Sequence, residues 1–294
     1  MKKKVIYALG FFDGVHRGHQ ELLRQCRLLA DTHNCDAGVV TFSSHPDTLV
    51  TGCTPRLLNT PQDRKSLLLA YGMDTVIELP FDETLMSTHW SDFLNSLVEQ
   101  DAAGFVCGED FRFGAGGNGT AKKLAAFCQS RELPHAVIAQ QFLNGIRISS
   151  THIRALIEDG KIEQAEEFLG HRHILTGTVV SGRQLGRTLG IPTANILIPD
   201  GVVQPRHGVY ACKTEVNGQE YMAVTNIGHR PTVGGHQTRA ESWLLDFDGD
   251  LYGQSLTLQF CQFLRPEKKF DSLAQLQAEI HQNAAQTRKI FEKS

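Results

Sequence analysis

Two histidines, His16 and His19, sit in the run Gly10-Phe11-Phe12-Asp13-Gly14-Val15-His16-Arg17-Gly18-His19, and they are the side chains best suited to chemistry. The apolar residues before the run read as a strand, and the periodic residues after it read as a helix, so the run is a glycine-rich strand-to-helix turn. Such a turn aims backbone N–H groups and the positive end of a helix dipole at one point. The two imidazoles, one helical turn apart, would face that point and donate to a phosphoryl oxygen as its charge grows. A second anion site is legible in Ser149-Ser150-Thr151-His152-Ile153-Arg154. Its hydroxyls and free N–H groups stand at a helix start, and Arg154 shares a face with Thr151. A guanidinium there is suited to clamp the terminal phosphates of a nucleotide. A plain Ser N-cap beside a solvated Arg would explain the second motif alone; its company with the first favours phosphate chemistry.

The elements that must position these residues follow from periodicity. Apolar runs at 5–9, 37–42, 75–79, 105–107 and 135–138 alternate with helical spacing at 20–31, 63–71, 93–98 and 122–128. That alternation predicts a five-stranded parallel sheet with helices on both faces, a Rossmann-like α/β domain. Ligands of such sheets lie at the carboxyl ends of the strands, where Ser43-Ser44-His45-Pro46, the Gly108–Gly114 segment and Ile148–Thr151 all begin. Two short helices are expected at 151–158 and 162–169, with Gly160 and Gly170 as caps. The period then changes to two, at 174–180, 208–216, 221–225, 241–247 and 255–263, before a last helix at 273–291. Short strands with turns such as Asn217-Gly218 predict a small antiparallel barrel with a helix against it. The expected domains are 1–170 and 171–294.

Composition narrows the classes. A chain of 294 residues exceeds one typical domain, and 41% apolar with 21% charged residues describes an ordinary globule. A formal charge of −3 argues against a nucleic-acid coat, so any phosphate site is local. No apolar run approaches membrane-spanning length, and the N-terminal one stops at Asp13 without a cleavage site, so a cytoplasmic protein is expected. The 7 cysteines are odd in number and lack a Cys-x-x-Cys pair, which points to buried hydrophobes rather than disulfides or zinc.

The His-x-Gly-His turn with a later Ser-Ser-Thr-x-x-Arg resembles the two signatures of the nucleotidyltransferase superfamily. Adding Gly108–Gly114, the run from Gly182 through Gly186 and Gly190 to Pro192-Thr193-Ala194-Asn195, and Asn226-Ile227-Gly228-His229-Arg230-Pro231-Thr232, nearly the whole chain resembles the prokaryotic bifunctional riboflavin kinase/FAD synthetases. That resemblance implies ATP and Mg²⁺ as co-substrate and metal, with riboflavin, FMN and FAD as substrates or products. It implies that His16, His19 and Arg154 serve adenylyl transfer, with Ser149, Ser150 and Thr151 on phosphates and Asp13 acting through Mg²⁺ or water. Gly10, Phe11 and Phe12 would border the nucleotide, Gly108, Asp110 and Phe113 would contact the adenosine, and His45, Pro46 and Phe111 would neighbour the isoalloxazine. In the second domain, Thr193 and Asn195 would hold Mg²⁺, while Gly182, Gly186, Gly190 and Pro192 would let the backbone approach ATP. Glu241 would be the base toward riboflavin, near Asn226 and Arg265. The chain departs from the family at Trp243, where histidine is usual, at Ser43-Ser44, and at Asn283 in place of an aspartate. A single-activity nucleotidyltransferase is the nearest alternative, against which the Pro-Thr-Ala-Asn run and Glu241 argue. A non-catalytic nucleotide sensor would first lose its charged residues, which remain. The oligomeric state is left open.

Overall fold

The computed structural model describes residues 3–182, 190–232 and 235–292. Gly186 and its neighbours at 183–189 lie outside the described residues. Contacts group the chain into two units, one of residues 1–57 and 61–150, the other of residues 58–60 and 151–294.

The first unit is organised by β1 (Val5–Leu9), whose five residues are all buried. It is sandwiched in a parallel sheet of order β3-β2-β1-β4-β7, with β2 at Asp36–Phe42, β3 at Thr75–Leu79, β4 at Ala102–Gly108 and β7 at His135–Ile138. A strand apolar on both faces requires cover on both, and the sequence supplies it. Helix α1 (Arg17–Thr32) turns Leu22, Leu23, Cys26 and Ala30 onto one face, with α3 (Pro61–Ala70) adding Leu68. On the other face α5 (Trp90–Gln100) and α6 (Ala121–Gln129) contribute Phe93, Leu94, Leu97, Leu124 and Phe127, and the short helices α2 (Asp47–Val50) and α4 (Glu83–Ser87) follow β2 and β3. Tyr7 crosses that core to donate to Asp101 at 2.8 Å. Two hairpins absent from the sequence reading, β5–β6 (Arg112–Phe113 with Gly119–Thr120) and β8–β9 (Phe142–Leu143 with Ile146–Arg147), interrupt the crossovers. The second separates the fifth parallel strand from Ser149, so the Ser-Ser-Thr run follows a hairpin rather than the sheet itself.

Helices α7 (Ser150–Glu158) and α8 (Ile162–Leu169) end at Gly160 and Gly170, both at positive φ as their cap role requires. From Thr151 onward these helices group with the second unit. That unit is a closed barrel in the order β10-β11-β14-β13-β12-β15, every pair antiparallel. The strands are β10 (His173–Val180), β11 (Ala194–Leu197), β12 (Gly208–Val216), β13 (Gln219–Thr232), β14 (Gly235–Leu244) and β15 (Ser255–Arg265). Asn217 and Gly218, at φ 52° and 79°, make the β12–β13 turn that their types dictate. Helix α9 (Leu273–Phe291) starts where Ser272 accepts from the Gln275 N–H at 3.2 Å, and it lays Ala284 against Val209, Val224 and Leu245. Three strand expectations change. β11 is a sixth strand whose four residues follow Pro192 too closely to show a period. β13 runs through Gly228 to Thr232, where glycine and proline suggest a turn, because β14 pairs with it throughout. β14 starts at Gly235 and ends at Leu244 rather than spanning 241–247, since Asp246 adopts φ 63° and turns the chain.

Cys26, Cys35, Cys107, Cys128, Cys212 and Cys261 are buried, and Cys53 is exposed. His173, at the start of β10, is 1% exposed, packs on Phe260, and its Nε2 has no partner among the described residues. Burial pushes its pKa down to about 3. The unfolded imidazole takes a proton near pH 6.5 and the folded one refuses it to about 3, so in that window the unfolded state binds more protons. The barrel should therefore lose up to about 1.4 kcal/mol per pH unit as pH falls from about 6.5. Urea unfolding at pH 7, 5 and 4 should show a shallower acid decline for His173→Phe than for wild type.

Candidate active sites

The turn after β1 is over-determined by hydrogen bonds. Gly10 N–H donates to Val40 O at 3.3 Å, Thr41 Oγ1 to Phe11 O at 2.9 Å, and Gln20 Nε2 to Val15 O at 2.8 Å. These hold Phe12 and Val15 at φ 61° and 41°, conformations that non-glycine residues adopt at a cost, the more so for a β-branched valine. Phe12 is completely buried and Asp13 is 4% exposed, with Ser150 Oγ donating to the Asp13 carbonyl at 2.9 Å. His16 is the N-cap of α1: its Nδ1 accepts from the His19 N–H at 3.3 Å. An imidazole accepting through Nδ1 keeps its proton on Nε2, so His16 carries a fixed donor in its neutral form. The His19 ring stacks on it, centroids 3.6 Å apart and planes within 10°. Burial, then the neighbouring charges of His16 and Arg64, hold His19 well below the usual histidine pKa. A side chain at Gly18 would press on the His16 ring at 3.2 Å, so the middle residue of His-x-Gly-His keeps the stack open. The turn thus offers two parallel imidazoles, neutral at physiological pH in the case of His19, at the carboxyl end of a buried strand.

Beside it lies an apolar cavity of about 690 Å³, lined by Phe42, Pro46, Leu49, Val50, Phe81, Leu85, Met86, Phe93 and Phe113 with Arg112. Of the residues implied at an isoalloxazine, Pro46 lines it. His45 instead sets its ring edge-on to Phe11 at 4.6 Å, and Phe111 stacks behind Phe113 at 5.5 Å. Phe113, implied at the adenosine, faces this cavity. Gly108 ends β4, and Asp110 is an exposed partner of Arg147 at 2.5 Å. Sequence reading missed Phe81, Leu85 and Met86, which belong to no motif, and Arg64, whose place beside Leu68 on the apolar side of α3 was the available signal.

In the second unit Arg154 Nη2 reaches Thr151 Oγ1 at 3.4 Å on the exposed face of α7, one turn apart as expected, and His152 sets its ring edge-on to Phe168 at 4.7 Å. In the barrel, register aligns three residues across neighbouring strands: Asn195 opposite Glu241, and Glu241 opposite Asn226. Directly opposed residues of antiparallel strands share a face, so these side chains form one row. The alternate residues Ala240 and Ser242 are buried, and Ser242 Oγ lies 2.8 Å from Thr225 Oγ1. Asn195 is 5% exposed, its Nδ2 donates to the Thr193 carbonyl at 3.4 Å, and its Oδ1 is buried with no partner among the described residues. An orphaned buried carbonyl oxygen is an acceptor of the kind that hard cations such as Mg²⁺ take. Gly182 must lack a side chain here, because a Cβ would fall 2.4 Å from Asn195 Nδ2. Gly190 lies at φ 68° in open space, and Pro192, Thr193 and Ala194 line a cavity of about 310 Å³ with Val179, Leu244 and residues 247–252. Trp243 sets its ring edge-on to His281 of α9 at 5.6 Å, in the cluster that seats the helix, so this departure falls on helix packing. Arg265 pairs with Glu279 at 3.0 Å and Asn283 at 3.2 Å, and Lys268 pairs with the same glutamate. Asn283 is buried and keeps a polar contact where the family has an aspartate.

Comparison with known proteins agrees with these two units. The FAD synthetase family matches residues 1–152 and the riboflavin kinase family matches residues 169–291. The bifunctional riboflavin kinase/FMN adenylyltransferase of Listeria monocytogenes is 32% identical over 98% of this chain and 93% of its own. That of Escherichia coli K12 is 34% identical over 97% and 92%. A crystal structure from Streptococcus pneumoniae, described as a macrolide-efflux protein, has 30% identity and a TM-score of 0.87, covering 98% of this chain and 95% of that one. With a stacked histidine turn in one unit, an Asn–Glu–Asn row in the other, and relatives matched along nearly their whole length, the chain belongs to the bifunctional riboflavin kinase/FMN adenylyltransferase family.

Proposed function

We propose that the chain makes both flavin cofactors in sequence: riboflavin and ATP give FMN and ADP, then FMN and ATP give FAD and pyrophosphate. The observation that carries this reading is that the first unit holds a stacked pair of histidines in a strand-to-helix turn while the barrel aligns Asn195, Glu241 and Asn226 in one row. We assign FMN adenylylation to residues 1–170 and riboflavin phosphorylation to residues 171–294. No described helix is long and apolar enough to cross a membrane, and the need for ATP places the reactions in the cytoplasm.

In adenylylation a phosphate oxygen of FMN displaces pyrophosphate from the α-phosphorus of ATP in line. No covalent nucleophile is needed; the enzyme must position two anions and meet the charge that develops. His16 Nε2–H and the His19 ring donate to the α-phosphoryl oxygens, and the N–H groups from Gly10 to Asp13 border the nucleotide. Arg154, with Ser149, Ser150 and Thr151, holds the leaving β- and γ-phosphates. The apolar cavity beside Phe42 takes the isoalloxazine, and Gly108 and Asp110 lie toward the adenosine. A histidine held neutral suits this role, since it can both donate a hydrogen bond and gain a proton as negative charge arrives.

In phosphorylation Glu241 takes the proton of the ribityl 5′-hydroxyl as that oxygen attacks the γ-phosphorus of ATP. Thr193 and Asn195 would hold Mg²⁺, which when bound would neutralise phosphate charge. Gly182, Gly190 and Pro192 let the backbone approach ATP, and Asn226 and Arg265 border riboflavin.

Chromatography of flavins made by purified variants tests the division. His19→Ala or Arg154→Ala should lower FAD formation from FMN about 10²–10³-fold while FMN formation stays near wild type. Glu241→Ala should do the reverse, lowering FMN formation about 10²–10⁴-fold. Loss of both activities from one such substitution in a folded protein would refute the assignment. Asn195→Ala should raise the Mg²⁺ concentration needed for half-maximal kinase activity at least about tenfold, read from a Mg²⁺ titration.

A further inference from the structure

The guanidinium of Arg64 is 1% exposed on α3, and no ion pair to it exists among the described residues. Its Nη2 donates to the Phe42 carbonyl at 2.6 Å and its Cζ lies 4.3 Å over the Phe11 ring. Its Nη1 is buried with no partner among the described residues. Asp13 and Glu78 are near enough to favour its charge electrostatically, but burial outweighs them. Arginine stays charged in proteins, and a buried charge without a close counterion is strongly disfavoured. An apolar residue would fill the same space more stably, so the fold alone gives no reason for a guanidinium here.

Its two contacts locate what would complete it. Phe11 belongs to the histidine turn, and its partner Phe42 closes β2 and lines the apolar cavity. Arg64 therefore stands at the junction of the flavin-sized cavity and the imidazole pair. A molecule with its ring system in that cavity and its reacting group at His16 and His19 must pass a phosphate through this junction. FMN has that shape: a tricyclic ring, a ribityl chain and a terminal phosphate dianion.

We propose that Arg64 binds the acceptor phosphate of the adenylylation step, Nη1 donating to a phosphoryl oxygen of FMN so that substrate binding supplies the missing counterion. This rests on the reading of the first unit as an FMN adenylyltransferase. The fork geometry of the guanidinium then serves two ends: Nη2 is anchored on the Phe42 carbonyl and Nη1 holds the nucleophile in line. A phosphoryl oxygen of ATP would satisfy the same donor, and steady-state kinetics separate the two.

The test uses the full chain with Arg64→Gln, which keeps a donor and removes the charge, and Arg64→Lys, which keeps the charge and loses the fork. FAD formation is measured with FMN varied at saturating ATP, then the reverse, with riboflavin phosphorylation as a check on folding. Arg64→Gln should raise KM for FMN at least about tenfold and leave KM for ATP within about twofold, with Arg64→Lys in between. A rise in KM for ATP instead overturns the proposal, as do unchanged KM values with only a lower Tm, which would mark Arg64 as a clasp between Phe11 and Phe42. Should Arg64→Gln fail to fold, Arg64→Lys decides: a rise of about threefold or more in KM for FMN alone supports the proposal, and no rise refutes it. Failure of wild type to make FAD from FMN and ATP would instead refute the underlying reading.

Discussion

The hydrogen bond from the His19 backbone N–H to His16 Nδ1 is the interaction on which the histidine turn, the proposed adenylylation site, depends. It caps α1, and in doing so it fixes which nitrogen of His16 carries the proton. It also draws the two rings into a stack only 3.6 Å deep, where both cannot be charged without strong repulsion. One contact thus starts a helix and sets the tautomer of one imidazole, and the stack it forms adds to the burial that keeps the other neutral. The strained backbone at Phe12 and Val15 persists because a fully buried β1 and its two parallel neighbours leave the turn no room to relax.

The barrel meets the phosphate problem differently. Its site is built by register, since antiparallel pairing of β11, β14 and β13 puts Asn195, Glu241 and Asn226 in one row on a rigid sheet. A one-residue slip would send that row to the opposite face, so closure of the barrel protects the chemistry. Where the first unit stacks a neutral His19 on His16 at a helix start, the second leaves the Asn195 amide oxygen buried with no partner among the described residues. Trp243 belongs to the neighbouring position on the same face, where α9 covers the sheet, and its ring contacts His281.

Much of this was legible in the residues. The parallel sheet was visible because strands buried on both faces read as continuous apolar runs, and the last helix because its period is unbroken over 273–291. The histidine turn was legible because glycine and histidine carry their chemistry in their types. β11 was not, since four residues after a proline show no period, and neither was the length of β13, since Gly228 and Pro231 argue locally against a strand that long-range pairing sustains. The cavity residues Phe81, Leu85 and Met86 carry no signal beyond hydrophobicity, and they become a site only through their tertiary placement. Arg64 was obscure for the opposite reason: a charged residue on a helix is ordinarily solvated, and its place one turn from Leu68 on the apolar side of α3 was the sole hint of its burial.

On the proposed function, one chain directs two different attacks on ATP, at the γ-phosphorus in the barrel and at the α-phosphorus beside the histidine turn. Incubating the purified protein with riboflavin, Mg²⁺ and ATP labelled at either the α- or the γ-phosphate, then resolving the flavins by chromatography, measures this directly. The γ-label should enter FMN and persist in FAD, and the α-label should enter FAD alone. Label from the α-position in FMN, or no label in either flavin, would contradict it.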